Sequence, residues 1–432
     1  MVSSGGRLKR FFIEQKCIPW SISHRFELLL ERKLHFGSPF LYHLIRYGRL
    51  QSICTTVTAP PGHHFFGYYD KTPWSETGGR LLAHQASFND RPPTADDTVK
   101  IGYIDISKPG EFNELATSKA WNWQQGSMLQ WDPRSPNDRV YYNDRRNGSY
   151  VAIRRSAEVD EETVFDRPLY TISPDGSIAF SLNFSRLQTW RPGYGYAGVP
   201  DNMANIGHPD KDGIFKIDLD TGTSKLIVPL EQLASMDTLP GMRDTTHWIN
   251  HIQVSPDGGK IAFFHIWQDS EHEWKVRFYN CRVDGSELKC ILDTGDVSHY
   301  DWQDERHILV WAKNPVGPGT HFLLCDVETE SSQIFAGELL GEDGHCSYSP
   351  DRKWILNDTY PDQHNMRTLM LVHRIDAKVI ELDRFYSPKD KWWGEIRCDL
   401  HPRWNRDGTQ VCVDSVHSGT RQMYLIDLRG II

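Results

Sequence analysis

Three segments of the chain place a histidine a few residues ahead of a turn that reverses the chain: His247-Trp248-Ile249-Asn250-His251 before Ser255-Pro256-Asp257-Gly258, Ser298-His299-Tyr300-Asp301-Trp302, and Gly344-His345-Cys346-Ser347-Tyr348 before Ser349-Pro350-Asp351. An imidazole titrates close enough to neutral pH to take a proton as a general base, and its neutral ring is also a metal ligand. Histidines repeated at one structural position can meet around one axis, so these segments point to a base, a metal site, or both.

Other residues could complete such a site. His265 closes the hairpin that His251 opens. The octapeptide from His63 to Asp70 offers Tyr68, Tyr69 and Asp70, and Trp121-Asn122-Trp123-Gln124-Gln125 offers amides that read hydroxyl groups. Arg186, Arg191 and Arg243 could clamp a carboxylate through paired N–H donors. We group His251, His247, Arg243 and Tyr69 as candidate catalytic residues, Arg186, Arg191, Gln125 and Asp70 as substrate-binding, and His299, His345 and His265 as metal ligands. A hydrolytic alternative needs two carboxylates about 5–10 Å apart, with Asp70, Asp301, Asp358 and Asp414 as candidates.

The elements that must hold these residues are short strands. From residue 63 onward seven units of strand, turn and strand follow one another, at about 65–107, 117–155, 163–227, 243–293, 295–335, 342–382 and 394–429. The Ser-Pro-Asp-Gly phrase is a turn device: Pro sets φ at the first corner, and Asp-Gly supplies the hydrogen bond and the positive φ that reverse the chain. Blade-sized units in series predict an all-β chain, a seven-bladed β-propeller over 61–432. The long insert 184–211 is expected to wall or cover the funnel. Residues 1–60 differ: Phe26, Leu28, Leu29, Leu30, Leu34, Leu41, Leu44 and Ile45 recur at three- and four-residue steps among basic residues, which predicts an N-terminal helical extension.

The run from Asn250 to His265, then Ser298 to Trp302, then Gly344 to Asp351, resembles the middle-to-late blades of the oligogalacturonate lyases, which are seven-bladed propeller polysaccharide lyases. The resemblance covers about residues 245–360. It implies a divalent metal, typically manganese, held by histidines and a glutamine at the funnel, with a separate histidine as base and an arginine nearby. Carried onto this chain, it places the base at His251 and metal ligands at His299 and His345. The chain departs just ahead of His345, where the family has a Gln and a further His and this sequence has Gly341-Glu342-Asp343-Gly344. With fewer ligands, metal binding is expected to be absent or weak.

Composition narrows the partners. A formal charge of -9 over 432 residues argues against nucleic acid as a partner. The 12% of aromatic residues suits both blade packing and the stacking of sugar rings. No apolar run approaches a membrane span of about 18 residues, and the N-terminus lacks the apolar core of a signal peptide. The eight cysteines show no C-x-x-C pair, the pattern of reduced thiols in a cytoplasmic protein. The basic amphipathic segment is expected to support homo-oligomer or membrane-surface contact. Taken together, the sequence predicts a cytoplasmic enzyme that cleaves a uronic-acid-containing oligo- or polysaccharide by β-elimination. A glycoside hydrolase and a non-catalytic sugar- or protein-binding propeller are the alternatives.

Overall fold

The structure, a computed structural model, describes residues 54–268 and 271–432. Contacts divide the chain into a large unit, Thr56–Tyr424, and a small one that includes Leu425–Ile432. The helical extension expected over 1–60 lies, through residue 53, outside the described residues. Cys54–Thr56, the first described stretch, is a β-strand.

The described strands form seven four-stranded sheets, the architecture of a seven-bladed β-propeller. Six sheets run in chain order; the first, for example, takes His63–Phe65, Arg80–Ala86, Val99–Asp105 and Phe112–Ser118 as antiparallel neighbours. The fourth blade uses His247–Val254, Lys260–Gln268, Trp274–Arg282 and Lys289–Gly295, and the fifth begins with Val297–Trp302. The sixth begins with Ser347–Tyr348 and the seventh with Arg403–Trp404. Val57 N donates to Met423 O at 3.0 Å and His64 N to Arg421 O at 2.9 Å, which ties the two ends of the large unit together.

One backbone hydrogen bond recurs in every blade and fixes its inner hairpin. Its donors are Ser75, Asp132, Ser173, Ser255, Gln303, Ser349 and Asn405, each to a carbonyl four to seven residues on, at 2.8–2.9 Å. The Ser-Pro-Asp phrase serves it locally: Ser255 and Ser349 donate their hydroxyls to Asp257 and Asp351. Gly258 takes φ 77° as the turn requires. These aspartates are therefore turn residues, and they are spent on the fold.

Between the sheets lies a continuous apolar core, to which Phe263, Phe278, Tyr279, Ile308 and Leu323 contribute with no solvent exposure above 1%. Two short α-helices are present among the described residues, Phe184–Trp190 and Leu230–Ser235. The first opens the insert expected to wall the funnel, and it ends where Arg191 and Tyr194 enter a cavity wall. Among the described residues no helix is long and apolar enough to cross a membrane.

Candidate active site

Counting four residues back from the recurrent turn donor gives one equivalent position per blade: Lys71, Met128, Leu169, His251, His299, His345 and His401. Four consecutive blades therefore place a histidine at the same point of the repeat. The rings follow one another in space as the blades do, with centroids 6.4 Å apart for His251 and His299, 4.1 Å for His299 and His345, and 4.4 Å for His345 and His401. Tyr68 lies among all four, its ring 5.0 Å from His251, 6.4 Å from His299, 5.9 Å from His345 and 4.8 Å from His401.

Local backbone irregularity aims these rings. The ladder of the fourth blade slips between Asn250 and Gln253, and His251 sits in that slip with φ 55°. In the fifth blade the slip falls between Val297 and Tyr300, around His299. His401 has φ 41°. A bulge breaks strict in-out alternation and re-aims a side chain, and a non-glycine residue at positive φ is a local strain that the surrounding packing must hold in place.

Hydrogen bonds fix the ring faces. His345 Nδ1 lies 2.8 Å from Asp358 Oδ1, and His299 Nδ1 lies 2.9 Å from Asp343 Oδ1. A carboxylate at Nδ1 holds the proton there and leaves Nε2 as the lone-pair nitrogen. His345 Nε2 and His401 Nε2 are both buried without a hydrogen-bond partner, as is the Tyr68 hydroxyl. Among the described residues His345, Asp399 and His401 form one cluster whose potential ligand atoms lie within 4.8 Å of one another.

Charge completes the picture. Burial, the His299 ring and the Arg191 guanidinium hold His251 well below an ordinary imidazole, so it is neutral at neutral pH. Burial also lowers His299, against the pull of Asp343. Asp399 is buried, which by itself opposes ionisation, yet the guanidiniums of Arg397 and Arg367 keep its carboxyl well below the usual range. Their nitrogens lie 2.6 Å from its two oxygens.

A cavity of about 800 Å³ opens onto His251 and His299 of the histidine row, lined also by Arg191, Tyr194, Trp274 and Tyr360. Arg191 stands over the Tyr194 ring at 4.8 Å and the Trp274 ring at 4.1 Å. A planar cation held between aromatic faces at the wall suits a carboxylate-bearing sugar.

Comparison with known proteins adds the fold. No family model and no curated protein sequence matches the chain. Among solved structures, an oligogalacturonate lyase in complex with manganese superimposes with a TM-score of 0.64 at 16% identity, over 87% of this chain and 92% of that one. A second oligogalacturonate lyase, from Vibrio parahaemolyticus, gives 0.60 at 13% identity, over 87% and 93%. The chain has the oligogalacturonate lyase fold. At such identities the likeness extends to the fold alone.

Within that lyase fold the structure brings together His251, His299, His345, Tyr69 and Arg191 from the residues selected by sequence. Tyr69 packs 5.3 Å from the His345 ring, but its hydroxyl donates to Tyr300 O and accepts from Tyr300 N, both at 2.9 Å. Gln125 acts at one remove: its amide donates to the Tyr170 hydroxyl at 2.7 Å, which accepts from His251 N at 3.2 Å. Asp70 is tied to Lys71 at 2.8 Å.

The remaining choices lie elsewhere. His247 and His265 bond each other at 2.8 Å inside the fourth blade, and His247 Nε2 also meets Met242 O at 2.7 Å. Arg186 is buried and spends its donors on the carbonyls of His247, Met203, Ile206 and Gly207 and on Asp201, so it shapes the insert and has none left for a substrate. Arg243 projects outward to Glu231 at 2.6 Å. The carboxylates considered for hydrolysis are likewise engaged: Asp414 by Arg403 at 2.8 Å, Asp358 by His345, and Asp301 by Tyr348 N at 2.7 Å.

From the sequence Tyr68 is offered beside Tyr69 but not selected, His401 is not selected, and Tyr360, Asp399 and Lys71 are passed over. His401 carried a usable signal, its four-residue spacing to Asn405, but that turn reads Asn405-Arg406-Asp407-Gly408 and lacks the Ser-Pro that marks its neighbours.

Proposed function

We propose that the protein is a lyase that cleaves a uronic-acid-containing oligosaccharide by β-elimination. The observation that carries this is the meeting of neutral His251 with Arg191 in the wall of one large cavity, in a propeller of the lyase fold.

The reaction asks for three things. The proton on C5 of the uronate is too weakly acidic until the adjacent carboxylate is neutralised. Arg191, fixed by two aromatic faces, offers that neutralisation at the wall. His251, held uncharged by burial and by its cationic neighbours, accepts the C5 proton. The electron pair released forms the C4–C5 double bond, and the bond from C4 to the bridging oxygen breaks with its pair on oxygen. Gln125, Tyr170 and Asn250 hold the strained backbone of His251, so the base arrives already oriented.

A divalent metal fits the donors on the axis, because Asp343 and Asp358 each fix one imidazole edge and His345 keeps a buried, unpartnered Nε2 on the other. The resemblance puts such an ion on His299 and His345, where it would supply a Lewis acid for the substrate carboxylate. A cytoplasmic setting belongs to the same reading, supported by the free thiols of Cys281, Cys290, Cys325, Cys346, Cys398 and Cys412.

Incubation with a panel of galacturonate, glucuronate and mannuronate oligosaccharides tests the proposal. A product absorbing in the near ultraviolet, from the new conjugated double bond, is the expected result. Saturated products alone would replace it with hydrolysis, and binding without turnover would leave a sugar-binding propeller.

A further inference from the structure

We infer that Tyr194 is the general acid of the elimination, the group that protonates the bridging oxygen as it leaves C4. The inference rests on the elimination reading and adds to it a proton donor, which neither His251 nor Arg191 provides.

One turn of chain presents Tyr194 beside Arg191. The helix Phe184–Trp190 stops at Arg191, whose N–H donates to Leu187 O at 2.8 Å, and Tyr194 N then donates to Arg191 O at 3.2 Å. Gly195 packs so closely on that helix that a Cβ there would stand 2.1 Å from Gln188 N and 2.3 Å from Phe184 O, so the turn is pinned in place. Both Arg191 and Tyr194 line the cavity.

The hydrogen of this phenol carries the inference. Its oxygen accepts from Arg397 Nη2 at 2.5 Å, and Arg397 is itself held by Asp399 Oδ2 at 2.6 Å. Among the described residues the hydroxyl donates its own hydrogen to nothing. A buried polar group is almost always satisfied, so a hydrogen left over at a cavity wall has the occupant of the cavity as its acceptor. Placement fits the leaving oxygen. C4 is bonded to C5, so the donor must stand beside both the cation at the carboxylate and the base. Arg191 lies over the Tyr194 ring at 4.8 Å, and the His251 ring meets it at 5.6 Å and 77°. Tyr68 does not line the cavity, and Tyr360 lines it beside His299 and His345, at 6.3 and 6.1 Å.

The step balances. His251 takes the C5 proton, and the C5–H pair becomes the second bond between C4 and C5. The C4–O bond breaks with its pair on the bridging oxygen, and the Tyr194 O–H proton moves to that oxygen. The phenolate left behind faces the Arg397 guanidinium, a charged donor on the atom where charge has formed. After product departs, solvent returns a proton to Tyr194 and takes one from His251, so no water is consumed.

The test compares full-length wild type, Tyr194→Phe and His251→Ala on two substrates: a uronate oligosaccharide, and a uronate bearing a dinitrophenyl ether at C4, whose departing phenolate needs no proton. Tyr194→Phe keeps the ring and removes the hydroxyl. It should lower kcat on the oligosaccharide by about 10²–10⁴ and leave the ether within about threefold of wild type, while His251→Ala loses both. Wild-type turnover of the oligosaccharide by Tyr194→Phe overturns the assignment, and so does an equal loss on both substrates, which would mark a structural role. Wild type that forms no unsaturated product from either substrate fails the elimination reading itself, and the assignment with it. Should Tyr194→Phe fail to fold, crystals of the unaltered protein with a disaccharide methylated at C5, which has no proton to lose, decide. The Tyr194 hydroxyl at about 2.6–3.2 Å from the bridging oxygen supports the assignment, and a hydroxyl out of hydrogen-bond reach of it refutes it.

Discussion

Asp358 receives both the backbone N–H and the ring Nδ1 of His345 on a single oxygen, each at 2.8 Å. One carboxylate thus sets where the histidine begins its blade, which way its ring turns and which nitrogen keeps the lone pair. Asp358→Asn preserves size while removing the acceptor charge. It should lower manganese affinity 10- to 100-fold, the usual effect of losing such a partner, as measured by metal titration of folded variant and wild type.

His251→Ala should lower the turnover number by about 10²–10⁴, the contribution typical of a positioned acid or base. The ring is half-buried at the cavity wall and its removal opens space toward solvent, so thermal stability should change little by comparison. Unchanged turnover would remove His251 from the role of base.

The two candidate arginines separate cleanly. Arg191 faces the cavity between Tyr194 and Trp274, whereas Arg243 reaches outward to Glu231. Arg191→Ala should reduce kcat/KM by about 10²–10³, the scale of losing one donor aimed at developing charge. Arg243→Ala should leave it within a factor of two. Steady-state kinetics on both variants checks the pair.

Burial pushes His84 and His247 down to about 4, and holds His265 well below its ordinary value. In the unfolded chain each titrates near about 6.5. Below that pH the unfolded state binds protons that the folded state refuses, so stability falls as acid is added. Each histidine contributes a slope of about 1.4 kcal/mol per pH unit down to its folded pKa, and above pH 6.5 these groups add none. Denaturant unfolding at pH 7.5, 6, 5 and 4.5 should therefore show a flat upper end and a steepening loss below pH 6.5.

Much of this was legible in the sequence, and the losses have physical causes. The turn phrase exposed the repeat because Pro and Gly have few other reasons to recur at fixed spacing, and two of the four axial histidines, His251 and His345, stood out beside it, with His299 in the blade between. His401 did not, since Asn405-Arg406-Asp407-Gly408 makes the same backbone turn without the Ser-Pro. His247 and His265 looked equivalent to His251 because alternation along a strand cannot reveal the slip after Asn250 that turns His251 toward the axis. Tyr68 and Tyr69 are adjacent and chemically alike, and only the packed structure shows that Tyr69 spends its hydroxyl on Tyr300 while Tyr68 sits among the imidazoles. Arg186 and Arg191 differ by little more than one helical turn, which is enough to bury one and present the other.

The most direct measurement of the central claim is the mass of the products formed from a uronate oligosaccharide in water enriched in heavy oxygen. Elimination breaks the bond between C4 and the bridging oxygen without adding water, so in samples quenched before the new anomeric hydroxyl exchanges with solvent every product should keep its natural oxygen mass at the cleaved bond, and one end of each cut should carry the double bond. Uptake of one solvent oxygen per cleavage would show hydrolysis and contradict the account.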